Sequence, residues 1–207
     1  MANQKFYKTD NQVKRSGKKN LFTRCLATSG YMYFFTAMFS IFGIIFIGDS
    51  IKPWLKVVVG IAFIIPNAII FFSKARMVAT RDYNEKNDTV LSNIHTQTFY
   101  SVNYFKSVLY VLPYVISALS ITAIFIATKV KFVVGIIEIL FAPSTLFFIG
   151  IGAHANEPKL ISWMTLAIVA TYVFIAMIAF VIGYITSVRS NREKTQSLVH
   201  EIRTYEQ

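Results

Sequence analysis

From Thr165 to Gly183 the chain carries no charged residue and presents no polar face. A helix of a water-soluble protein keeps one polar side, whereas a helix that is apolar all round suits a bilayer. Further apolar blocks of roughly 20 residues recur along the chain, the length a helix needs to cross a hydrocarbon layer about 30 Å thick. The composition agrees. The chain is 55% hydrophobic and 15% charged, with a mean hydropathy of +0.51, where a soluble domain is about 45–50% apolar and about a quarter charged. The expected fold class is therefore an all-α integral membrane protein. It is a bundle of about five transmembrane helices with an amphipathic helix on the cytoplasmic face.

The spans fall at about 30–47, 54–73, 108–128, 132–152 and 161–188. Three regions follow: a basic cytoplasmic segment at 1–27, a transmembrane helical domain at 28–188 that includes a polar segment at 74–106, and a charged tail at 189–207. Gly48, Asp49 and Pro53 supply turn chemistry between the first two spans, so these form a hairpin. The first apolar run ends in Gly48-Asp49-Ser50 without a small-x-small cleavage pattern, which reads as an uncleaved signal anchor. Within 74–106, Leu91, Ile94, Thr98, Val102, Phe105 and Leu109 recur at three- and four-residue spacing. That periodicity predicts an interfacial helix over 89–106.

The net charge is +11, and its placement says more than its size. Lys5, Lys8, Lys14, Arg15, Lys18, Lys19 and Arg24 all precede the first span. This is a positive-inside signal resting on anionic headgroups. No zinc-finger spacing or aromatic-interleaved basic strand accompanies it, so nucleic acid is not an expected partner. The expected location is a bacterial cytoplasmic membrane with the N-terminus inside. The expected partners are the lipid bilayer and a further membrane protein. Five full spans place about 13 Lys/Arg inside and 8 outside. In the alternative topology the segment around Glu138 enters and returns on one side, with Pro143 as its break. Both termini are then inside and the count becomes 16 to 5.

Glu138 is the residue that calls for chemistry, a carboxyl group within 132-FVVGIIEILFAPSTLFFIGIG-152. A charge at mid-membrane costs on the order of 3 kcal/mol on insertion scales, so an acid there is held for a reason. It serves as a protonatable or cation site, or it is a neutral acid hydrogen-bonded to Asn67, Ser117, Ser120 or Thr122 on neighbouring spans. Lys129 or Lys131 bending inward is a third option. The candidate ligand or ion site is thus Glu138 with Asn67, Ser117 and Thr122. Pro66, Pro113 and Pro143 add kink points that can line a cavity.

His154 and Glu157 lie at i and i+3 in a loop, a weak metal or acid–base spacing that reads as a solvated turn before Pro158. No HExxH, CxxC, GxSxG or Walker-type loop occurs, and no cofactor or catalytic set is expected. Cys25 is the single cysteine, so no internal disulfide framework exists. It reads as an interfacial thiol. The function expected is that of a transport-related or accessory membrane subunit with a polar pocket around Glu138. The alternatives are a membrane enzyme acting on lipid headgroups and a structural or immunity-type protein.

Overall fold

The structure is a computed structural model that describes residues 20–47, 51–91, 103–127, 131–152 and 158–205. These form six helices: α1 (Leu21–Ile44), α2 (Pro53–Leu91), α3 (Tyr104–Ala127), α4 (Lys131–Leu140), α5 (Ala142–Gly150) and α6 (Pro158–Tyr205). Among the described residues, α1, α2, α3 and α6 are long and apolar enough to cross a membrane. The coarse expectation of an all-helical membrane protein is met.

The segment expected as a fifth span has a different form. It is two helices of 10 and 9 residues that break at Phe141, whose φ of −115° and ψ of 34° leave helical geometry. The cause is local. Pro143 sits in the first turn of α5, where its missing N–H interrupts no helical hydrogen bond, and it cannot continue a helix arriving from the N-terminal side. Thr145 Oγ1 then donates to the Glu138 carbonyl at 2.7 Å, satisfying an acceptor that the break frees.

Contacts set the directions of the helices. Arg24 of α1 and Lys106 of α3 both reach Asp82 of α2, so α1 and α3 start at the end of the bundle where α2 is finishing. Helices α2 and α6 run parallel, because Asn67 meets Tyr172, Thr80 meets Ser187 and Tyr83 meets Thr195 in ascending order. Hence α1 and α3 run away from the Asp82 end, while α2 and α6 run toward it. Both Leu21 and the C-terminal part of α6 lie at that end.

The α4–α5 pair occupies the opposite end. It follows the far end of α3, and it passes Ser40, whose hydroxyl donates to the Leu140 carbonyl. It then turns back outward along the first turns of α2. A Cβ placed on Gly60 would meet the Pro143 carbonyl oxygen at 2.7 Å and the Phe147 nitrogen at 2.9 Å, and one on Gly150 would meet the Pro53 carbonyl oxygen at 2.7 Å. Only glycine permits so close a backbone approach. With Ala142 against Gly43 on its other side, α5 is a wedge between α1 and α2. The pair therefore begins and ends at the same end of the bundle, the geometry of the alternative topology above.

The core is aromatic and hydroxyl-rich. Tyr110, Tyr114, Tyr184, Phe71, Phe180 and Met32 are its largest fully buried side chains. On α1, Thr28, Ser29, Thr36 and Ser40 are buried and return their hydroxyls to carbonyls four residues back. Small hydroxyl residues that satisfy themselves in this way let α1 pack closely without leaving these four hydroxyls unpaired. Of the expected interfacial helix at 89–106, residues 92–102 lie outside the described residues. The described flanks belong to α2, which runs unbroken to Leu91, and to α3.

Candidate functional site

The polar cluster of the structure is built on Asp82, within the stretch 74-KARMVATRDYNEKNDTVL-91. That stretch contains neither Gly nor Pro and opens on the helix formers Lys74, Ala75, Arg76 and Met77, so α2 continues through it. Its buried side is Phe71, Ala75, Ala79 and then Asp82, at spacings of three and four. This stripe continues the core face of the apolar part of α2 and carries a carboxylate into the bundle. The Asp82 side chain is 1% exposed.

Four donors from three other helices converge on it. Arg24 Nη1 lies 3.2 Å from Oδ1 and Lys106 Nζ lies 2.7 Å from Oδ2. Tyr110 donates from 3.0 Å of either oxygen, and Tyr184 donates to Oδ2 at 2.9 Å. Lys106 and Tyr110 sit four residues apart on α3 and so share a face. A carboxylate offers about four lone-pair sites, and here internal donors take all of them. Desolvating a carboxylate is costly, and two charge-assisted contacts with two phenols offset that cost. The cluster extends to Glu85, which accepts from Arg24 Nη2 at 2.8 Å and from Arg81 Nε at 3.1 Å. Three cations thus face two carboxylates, leaving one excess positive charge. The arrangement is a latch that ties α1, α2, α3 and α6 together at one end. With its lone pairs used, Asp82 is not offered to a metal or a substrate. Among the described residues, no group of three or more His, Cys, Asp or Glu side chains is placed to hold a metal ion.

The residues singled out from sequence are dispersed. Glu138 is half-buried, and its Oε1 accepts from Thr165 of α6 at 3.0 Å. That partner differs from the expected Asn67, Ser117, Ser120 and Thr122, because α4 turns its last residues toward α6. Asn67 is 1% exposed and gives its Nδ2 to the Tyr172 hydroxyl. Ser117 pairs with the Tyr33 hydroxyl at 2.6 Å and returns its own to the Pro113 carbonyl. Thr122 bonds the Ala118 carbonyl. Asn67 therefore serves the α2–α6 seam, Ser117 the α1–α3 seam and Glu138 the α4–α6 contact. Cys25 is 6% exposed beside the latch, which places the thiol inside the bundle. His154, Glu157 and Lys129, and the side chain of Lys131, lie outside the described residues.

Fold and cluster together define an all-helical membrane protein, four long apolar helices latched at one end and wedged at the other by a broken helix pair. No family model, curated protein or solved structure matches the chain.

Proposed function

We propose that the chain is an accessory subunit of a membrane assembly of the transport-related kind, acting as a rigid scaffold for a partner. The observation that carries this reading is the Asp82 latch, which joins all four long helices through one carboxylate. A protein that carries a solute by rocking its helices must part them at each end in turn. Here the end is held closed by internal donors. Orientation follows from charge. Leu21 and the C-terminal part of α6 lie at the Asp82 end, and 16 of the 21 Lys/Arg fall in the sequence segments 1–24, 74–106 and 189–203, so the Asp82 end is assigned to the cytoplasmic side. Helix α6 has 48 residues, about 72 Å at 1.5 Å per residue. It outruns a hydrocarbon layer of about 30 Å, so its C-terminal turns project as a basic arm.

The test is purification of the full chain from its native membrane in mild detergent, beside a version truncated after Val188 and the Glu138→Gln variant. Full chain and Glu138→Gln should retain a stoichiometric partner, and the truncation should lose it. A full chain that emerges alone, or a partner retained without the arm, overturns the reading. A second reading, a cation or proton site at Glu138, is favoured by its position at a helix break with one hydroxyl partner from α6. It requires an ion-dependent stability shift that Glu138→Gln abolishes.

A further inference from the structure

We propose that the α2–α6 seam is a binding site for a lipophilic alcohol, a single hydroxyl head on a long hydrocarbon tail dissolved in the bilayer. The head is called for by Asn67. This residue is 1% exposed, its Nδ2 is committed to the Tyr172 hydroxyl, and its Oδ1 has no hydrogen-bond partner among the described residues. Buried amide oxygens are almost always paired, and one left open marks a missing donor. Asn67 lines a cavity of about 10 Å³ together with Ile64, Ala68, Phe71 and Tyr172. That space holds one oxygen-sized group and no more.

The tail is called for by what adjoins the cavity. A groove of about 300 Å³ shares Ile64, Ala68 and Ile175 with it and continues past Ile69, Phe72 and Ala179, lined by apolar side chains alone. Its outer lip is open, with Ile65 53% and Ile69 58% exposed. The volume matches the low end of small-molecule pockets. A donor head in the small cavity and a hydrocarbon tail in the groove describe one amphiphile lying along the seam.

Depth and charge narrow the class further. Asn67 is 14 residues beyond Pro53, about 21 Å along α2, and so lies well inside the hydrocarbon. Phospholipid headgroups end near the edge of that layer. Among the described residues, no charged residue lines the cavity or the groove, so an ionic head would be desolvated with no counter-charge. An acyl chain alone fills the groove and leaves Oδ1 unpaired. A ketone or ester head offers no donor. A hydroxyl satisfies Oδ1 and is small enough for the cavity.

The experiment uses the full chain in phosphatidylcholine nanodiscs with a photoreactive diazirine analogue of 1-dodecanol, and maps the labelled residues by mass spectrometry. Labelling should concentrate along Ile65, Ile69 and Ala179. Unlabelled 1-dodecanol should compete about tenfold better than dodecane, the factor one hydrogen bond supplies. Asn67→Leu should remove that preference. Ala179→Trp fills the groove from the lipid side and should suppress labelling with Asn67 intact. Equal competition by dodecane would mean that the groove holds acyl chains and a water caps Asn67, which overturns the proposal. So would an undiminished alcohol preference in Asn67→Leu, or labelling indifferent to Ala179→Trp. The alkane comparison and Ala179→Trp leave Asn67 in place, so the test does not depend on the folding of Asn67→Leu.

Discussion

Asp82→Asn should loosen the latched end of the bundle. The substitution preserves shape and removes the charge that Arg24 and Lys106 share. It also sets an NH2 group against those two cations, and leaves one oxygen to serve four donors. Breaking a buried ion pair by removing one partner costs about 3–5 kcal/mol. The Arg24 and Lys106 side chains are 12% and 22% exposed, and partial hydration sets the expectation at the lower end, about 3 kcal/mol. Cys25 provides the assay, since it is the only cysteine and is 6% exposed immediately after Arg24. Its reaction with a maleimide in detergent requires opening of the latched end, so the rate follows the open population. At about 1.4 kcal/mol per factor of ten, the rate should rise about a hundredfold. Arg24→Gln should also accelerate the reaction. The double variant should fall short of the product of the two effects, because both act on one network. A rate for Asp82→Asn within threefold of the parent, less than about 0.7 kcal/mol, would refute the latch as a stabilising device.

Three further outcomes are expected. Gly60→Ala drives a methyl group into the backbone of Pro143 and Phe147 and should cost about 1–3 kcal/mol in a reversible detergent-unfolding titration, as overpacking does. Glu138→Gln keeps an acceptor for Thr165 and should change unfolding by less than about 0.5 kcal/mol, whereas Glu138→Leu removes it and should cost about 1 kcal/mol. Reporter enzymes fused within 82–88 and after Gln207 should read on the same side, and one fused after Lys131 on the other. An opposite reading after Gln207 would restore a fifth crossing.

The long helices could be read in advance because a bilayer demands one property, unbroken apolarity over about 20 residues, and hydropathy measures it. Glu138 stood out for the same reason, as a contrast with its neighbours. Asp82 did not, because it lies among Arg76, Arg81, Glu85 and Lys86, where an acid provokes no question. Its partners Arg24, Lys106, Tyr110 and Tyr184 are spread over 160 residues and meet only through tertiary packing. One signal was available. Asn67, Phe71, Ala75 and Ala79 form a stripe at four-residue spacing whose extension falls on Asp82 and Tyr83, so the core face of α2 projects past its apolar part. The break near Pro143 was visible as a breaker residue. That the chain turns back there depends on the close approach permitted by Gly60 and Gly150, which a linear pattern does not reveal.

The wedge has a consequence in time. Helix α5 packs against both α1 and α2, yet its contacts Gly43 and Gly60 are made about 100 and 80 residues before it, and Tyr184 follows Asp82 by 102 residues. At about 5–20 residues per second the first hairpin waits roughly 5–20 s for the parts that complete it. During that interval α1 and α2 have each other, but neither the helix that will pack against both of them nor the last donor for their carboxylate. The nascent hairpin therefore leaves the Gly43 and Gly60 surfaces uncovered until α5 is made, and its carboxylate one donor short until the sixth helix emerges.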